Sequence, residues 1–456
     1  MSLIDLARKA VEKAEKLGAR QAEATVAASN SALTRYTHNA IHQNVAWDNY
    51  TLNMEVVVDR NKMGATTIKT LEDAAIDKAI ETALNIARVS TPDPDFNSYA
   101  EPKNIEPLPG IYVKKTAEVT PEERVETVQT IIQTALDYDK QVTWSVGAYQ
   151  VDDLNYAVAN SLGVAAETKY TRGSLDVVTK AGDDEVQGSG YRTKRTRDVS
   201  EFDPVELAQG AAKDAVNSIK PETIPIGDYE AVLTPAAVAT FTGFIGRLGF
   251  SARAYQDGYS FVTDKIGSQI FDKKLTLVDR GRSLDTIGAL PFDGDGVPKG
   301  TLSLVNKGIA ENLCYDTYTA LKDGTESTGH ASLKSGGGFG RGYPSPGNLV
   351  METGSASVDE MIEDTKRGVL LSRLHYVNPI RRDKAVISGL TRDACWLIEN
   401  GEIKHPIKVM RFTDSVIRVM NGIDHIGDKS TTAKTPGATL PTVKVAGFRF
   451  TGQSEF

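Results

Sequence analysis

Hydrophobic and polar positions change period several times along this chain, and each change marks an element. Over residues 3–17, Leu3, Leu6, Ala10, Val11, Ala14 and Leu17 recur at helical spacing, and Gly18 closes the stripe. From Gln21 to Thr67 the period falls to two. The segments ALTRY, VAWDNYTLNMEVVVD and KMGATTI predict antiparallel strands with turns near His38-Asn39-Ala40 and Asp59-Arg60-Asn61. LEDAAIDKAIETALNIA then returns to the helical period.

Residues 90–118 hold Pro92, Pro94, Pro102, Pro107 and Pro109 and predict an extended crossing. Thr120 as N-cap, Pro121 at the first position and Glu123 as capping-box partner start a helix running to about Asp137. Residues 142–196 alternate again, and Asp203-Pro204-Val205-Glu206 caps a further helix. The unit helix, strands, helix thus occurs twice, compatible with one larger sheet with helices on one face.

KPETIPIGD, residues 220–228, reads as a boundary. Beyond it come a strand (YEAVLT), a helix from Pro235, a helix after Ser357 with Glu360 as capping-box partner, and otherwise short strands and loops. The fold class expected is α+β. Residues 1–225 form an N-terminal domain of antiparallel strands with helices on one face, and 226–456 a β-rich C-terminal domain with a glycine-rich loop at 335–347.

Composition narrows the setting. A net charge of −8 argues against a general nucleic-acid binder, which carries a basic surplus. The longest uncharged stretch, Ala231 to Gly246, is too short to span a bilayer and contains Pro235. Two cysteines, Cys314 and Cys395, have no metal-ligand spacing and suit a reducing compartment. The N-terminal helix is charged rather than a signal peptide. A cytoplasmic protein with no membrane partner is expected.

The densest chemistry lies in Ser327 to Gly354, STGHASLKSGGGFGRGYPSPGNLVMETG. Clustered glycines point to backbone conformations or close approaches that other residues forbid. Gly336 to Gly342 lacks the Lys-Ser/Thr of a phosphate loop, and Tyr343-Pro344-Ser345-Pro346 cannot open a regular helix. A loop that admits a peptide or a partner protein, or a purely structural loop, remains. His38 and His42 have the four-residue spacing of zinc ligands, but their segment alternates as a hairpin does. Asp293 and Asp295 could share a cation or do acid–base work, although Asp and Gly are also ordinary turn residues.

Several segments in order carry a family likeness. They are Asn160-Ser161-Leu162-Gly163, Ser260-Phe261, Lys265-Ile266-Gly267, Phe292 to Val297, Ser327 to His330, Asn348 to Gly354 and Trp396 to Glu402. With these the chain resembles, over nearly its whole length, the TldD/PmbA family of cytosolic proteins linked to a zinc-dependent peptidase. The resemblance implies an HExxxH zinc motif on the helix after YEAVLTP in the peptidase-type member. Here Pro235 to Arg247 contains neither histidine nor glutamate. It also implies a cysteine ligand near the C-terminal strands, where Asn421 to Gly427 has none.

The branch implied is therefore PmbA-like, also called TldE. Its expected role is a subunit without zinc or other cofactor of its own, paired with a zinc-bearing TldD-type chain or with itself, helping to enclose a peptide substrate. Arg341, Tyr343, Asn348 and His330 are the candidate substrate-binding residues. No catalytic residue is assigned, and activity of the chain alone is left open. A non-enzymatic homodimer that binds peptides or proteins is the alternative, and a hydrolase using Asp293 and Asp295 a third reading.

Overall fold

The computed structural model describes residues 2–183, 186–334, 342–433 and 437–454. Its first half is built on one six-stranded antiparallel sheet. The strands are β1 (Gln21–Thr37), β2 (Ala40–Val58), β3 (Lys62–Ile68), β4 (Val142–Asn160), β5 (Ala165–Ala181) and β6 (Gly188–Thr196), in the order β3-β2-β1-β4-β5-β6. Four of them have 17 to 19 residues, against five or six for an ordinary strand. That length lets one sheet carry two helix pairs side by side.

The helices are α1 (Leu3–Lys16), α2 (Asp73–Val89), the short α3 (Lys114–Ala117), α4 (Pro121–Tyr138) and α5 (Pro204–Asn217). Sequence-local caps start them. The Ser2 hydroxyl accepts from the Asp5 N–H, the Thr120 hydroxyl from the Glu123 N–H, and the Asp203 carboxylate from the Glu206 N–H. α1 and α2 cover Ala22, Ala24, Val26, Leu52, Met54 and Val56, while α4 and α5 cover Tyr149, Val151, Leu175 and Val177. Ala24 pairs with Ala159 and Ala32 with Val151 in unbroken register, so the two helix pairs lie on the same face. The helix, strands, helix unit read twice in the sequence is thus half of one sheet each time.

The opposite face presents Tyr156, Val158, Val164 and Ala166, which pack on Phe292 and Val297 from the second half of the chain. The proline-rich crossing also bridges the two halves. Phe96 and Tyr99 pack with Tyr318, and the Tyr318 hydroxyl donates to Asp93 at 3.1 Å.

The second sheet contains β7 (Gly227–Leu233), β8 (Leu277–Arg280), β9 (Thr301–Asn306), β10 (Ile309–Ala310), β11 (Leu349–Met351), β12 (Arg367–Leu371), β13 (Arg373–Arg381), β14 (Val386–Arg392), β15 (Trp396–Glu399), β16 (Glu402–Pro406), β17 (Met410–Ser415), β18 (Ile423–Thr432) and β19 (Thr439–Gln453). β19 is its axis, pairing with β7, β11, β17 and β18.

The helices of this half are α6 (Pro235–Gly249), α7 (Ala252–Gln256), α8 (Thr317–Asp323), α9 (Val358–Glu363) and α10 (Val416–Asn421). α6 buries Val238, Phe241, Ile245 and Leu248, with Phe241 edge-on to Phe448 of β19 at 6.3 Å between ring centres. The sequence shows α6 by its pattern and the six-residue α9 by its Ser357 and Glu360 capping box, but not α7, α8 and α10, since five to seven residues make too little of a stripe. Asp316 nevertheless caps α8 and Ser415 caps α10.

Candidate functional site

A cleft of about 1740 Å³ runs between the two halves of the chain. One side comes from β6 and α5, the other from α6, β13, β16 and β18. Val238, Phe241, Ile245 and Leu248 of α6 enter the core, while the small Pro235, Ala236, Ala239, Thr240 and Gly243 line the cleft along its first part and Phe244 and Arg247 along its last. Small side chains on that face leave room for an extended chain, and a site of this size can hold several residues.

Two arginines of the cleft are committed to carboxylates. Arg192 pairs with Asp214, and Arg373 pairs with Asp393 while lying over the Tyr191 ring at 4.1 Å. Burial, followed by the charges of Arg392 and Arg373, holds the His375 pKa below its ordinary value, so this imidazole is neutral at pH 7. From Pro235 to Gly249 there is no His, Cys, Asp or Glu. The donor set of α6 therefore does not fit zinc.

His330 and Asn348 come together around Asp279, at the end of β8. Asp279 is fully buried and accepts from the Asn348 backbone N–H at 2.8 Å. His330, 3% exposed, has Nε2 at 3.6 Å from the Asp279 carboxylate and Nδ1 at 2.9 Å from the Thr328 hydroxyl. Burial pushes the Asp279 pKa up, but His330, Lys299 and the Asn348 amide outweigh it and hold the carboxyl below its ordinary value. Tyr343 lies apart, half-exposed, its hydroxyl donating to Asp257 at 3.4 Å. Arg341 falls outside the described residues.

The Asp293 and Asp295 turn is committed to the fold. Asp293 accepts backbone N–H bonds from Asp295, Val297 and Ala331 at 3.0, 2.9 and 2.8 Å. Asp295 accepts one from Thr317 at 3.1 Å. Burial and the neighbouring Asp295 charge push the Asp293 pKa up. His38 and His42 do not form a zinc pair: His38 sits on the turn with its ring stacked on Trp144 at 4.8 Å.

Among the described residues, one group of metal-type donors converges, Asp364, Asp424 and His425, with ligand atoms within 4.8 Å of one another. It lies in the neighbourhood where the resemblance implies a cysteine ligand. Sequence reading passed it over because Asp364 is remote in the chain. The nearly fully buried Lys444 pairs there with Asp364, Asp424 at 3.2 Å and Glu230 at 3.3 Å. Its ammonium already supplies the positive charge that a metal ion would bring.

This cluster carries a pH prediction. Hydrogen bonds from Lys444 and His425 hold the Asp364 pKa low. Its contribution to stability is therefore present above the unfolded carboxyl pKa and lost as pH falls through the lowered value. In Lys444→Met the three carboxylates lose their shared cation and repel one another while charged. The penalty is then largest near neutral pH and shrinks as pH falls and they protonate. Melting temperatures at about pH 7 and about pH 4.5 should show a larger deficit for the variant at the higher pH. An equal deficit at both would refute this account.

Residues 226–452 match the PmbA/TldA metallopeptidase C-terminal domain, and residues 114–219 the PmbA/TldA metallopeptidase central domain. These matches put the chain in the class of metallopeptidase-related α+β proteins. Metalloprotease PmbA of Escherichia coli O157:H7 is 24% identical over 86% of this chain and 84% of its own length. The Metalloprotease PmbA homolog of Haemophilus influenzae is 24% identical over 96% and 94%. TldE from Thermococcus kodakarensis shares the fold, with a TM-score of 0.87 at 21% identity over 98% of this chain and 100% of that one. The chain belongs to the PmbA/TldD family.

Proposed function

We propose that this chain is the PmbA/TldE-like, zinc-free subunit of a cytosolic TldD-type metallopeptidase acting on peptides. The observation that carries the reading is α6. It borders the cleft, in the position where the resemblance implies HExxxH, yet lines the space with no histidine, cysteine or carboxylate. In this reading a partner chain would hold the zinc, which would supply the activation of water for peptide hydrolysis. This chain shapes the enclosure from two domains, 1–225 and 226–456, and His330 is the sequence-predicted residue best placed to meet substrate.

The test is reconstitution. The chain is mixed with an HExxxH-bearing relative from the same genome, and association and peptide hydrolysis are measured. Copurification, with turnover raised at least about tenfold over either chain alone, is expected. Hydrolysis by this chain alone at the rate of the mixture, or absence of association, would overturn the reading. Self-association with peptide binding would instead favour the homodimeric binding module.

A further inference from the structure

A second cavity, of about 490 Å³, lies between β4, β5 and the turn segments of the C-terminal half. It shares Ser345 and Ala433 with the large cleft, so the two spaces adjoin. Its lining is unusually polar, with Arg172, Arg195, Lys299 and His330 facing Asp152 and Asp293.

These charges are not matched one to one. Arg195 is paired with Asp176 at 2.7 Å. Asp152 accepts from the Ser31 hydroxyl at 2.6 Å and from Gln150 at 3.0 Å, and Asp293 is held by three backbone amides. Both lining carboxylates therefore have donors. Among the described residues, two lining cations have no acceptor. The Arg172 Nε is buried without a hydrogen-bond partner, and its guanidinium lies over the Tyr170 ring at 5.1 Å. Among the described residues the Lys299 ammonium makes no ion pair or hydrogen bond. The buried His330 Nε2 faces the Asp279 carboxylate at 3.6 Å, beyond hydrogen-bond distance. A buried donor left unsatisfied costs roughly 1–3 kcal/mol, and more when charged. Donors on three separate segments, Arg172 on β5, Lys299 after the Asp-Gly turn and His330 beside the glycine-rich run, line one space large enough for a terminal residue.

We propose that this cavity takes the C-terminal carboxylate of a peptide lying in the adjoining cleft, with Arg172 and Lys299 as its charged donors and His330 beside them. The assignment rests on the peptide reading above and adds an end-group preference: substrates are short peptides with a free C-terminus. A planar carboxylate suits the Arg172 guanidinium, since Arg–carboxylate contacts are charge-assisted and can be bidentate.

The test uses the full chain without any partner, so its failure removes the carboxylate site and leaves the subunit assignment standing. Binding of acetyl-Ala-Ala as free acid and as C-terminal amide is measured by calorimetry, with inorganic phosphate as competitor. The acid should bind at least about tenfold tighter than the amide. Arg172→Gln and Lys299→Gln should each cut that preference to threefold or less, roughly. Arg172→Lys should retain part of it, and unchanged melting temperatures would show the variants folded. Phosphate should displace the acid. Equal affinity for acid and amide, or a preference that survives both Gln variants, would overturn the proposal. Phosphate binding that neither peptide displaces would do so too.

Discussion

Gly64→Val is expected to destabilise the N-terminal half by about 3 kcal/mol. A β-carbon at position 64 would lie 2.1 Å from the Ala83 carbonyl oxygen and 2.5 Å from the Ala87 nitrogen. Those atoms belong to the backbone of α2, so no rotamer change relieves the clash, and the helix must lift from β3. Overpacking a core costs about 1–3 kcal/mol where side chains can adjust. A backbone clash sits at or above the upper end. About 3 kcal/mol corresponds to a fall of roughly 6–12 °C in melting temperature for a unit of this size. Gly300→Ala is the control, because nothing lies within 4 Å of its β-carbon position. A Gly64→Val melting temperature within about 2 °C of the parent would refute the close-packing account.

How much of this was legible depends on the range of the physics. Helix starts are local, and Thr120 with Glu123 and Ser357 with Glu360 can be read from the sequence because each cap closes within four residues. Alternation likewise shows strands, but it does not show partners. β1 reads as one strand of a small meander, while in the fold it lies between β2 and β4, the latter more than a hundred residues away. The site is less legible still. His330 and Asn348 flank the glycine-rich run, and what unites them is Asp279, a single carboxylate within an otherwise ordinary strand. Arg172 stands on an alternating strand, where nothing in the sequence sets it apart. Its lack of an acceptor is a property of the space around it and has no counterpart in sequence. The same holds for Lys444, whose three carboxylates come from β7, the end of α9 and β18.

The absence of metal donors on α6 and the small residues that its first two turns present to the cleft make Thr240→Trp the most direct test of the cleft. Thr240 is half-buried, lies one turn beyond Ala236 and lines the open space. An indole there projects into the cleft rather than the core, and helix propensity changes little between Thr and Trp. The fold and partner association should therefore persist, with the melting temperature within about 2 °C of the parent. Peptide turnover by the reconstituted pair should fall at least about 100-fold in kcat/KM, equivalent to roughly 2.7 kcal/mol of lost transition-state stabilisation. Short peptides should be affected less than long ones, since an obstruction excludes by size. Glu81→Trp, on the exposed face of α2, supplies the same bulk away from the cleft and should leave turnover unchanged. If Thr240→Trp associates normally and turns over long peptides at the parental rate, the substrate does not pass along α6. The enclosure would then have to be formed by surfaces other than this cleft.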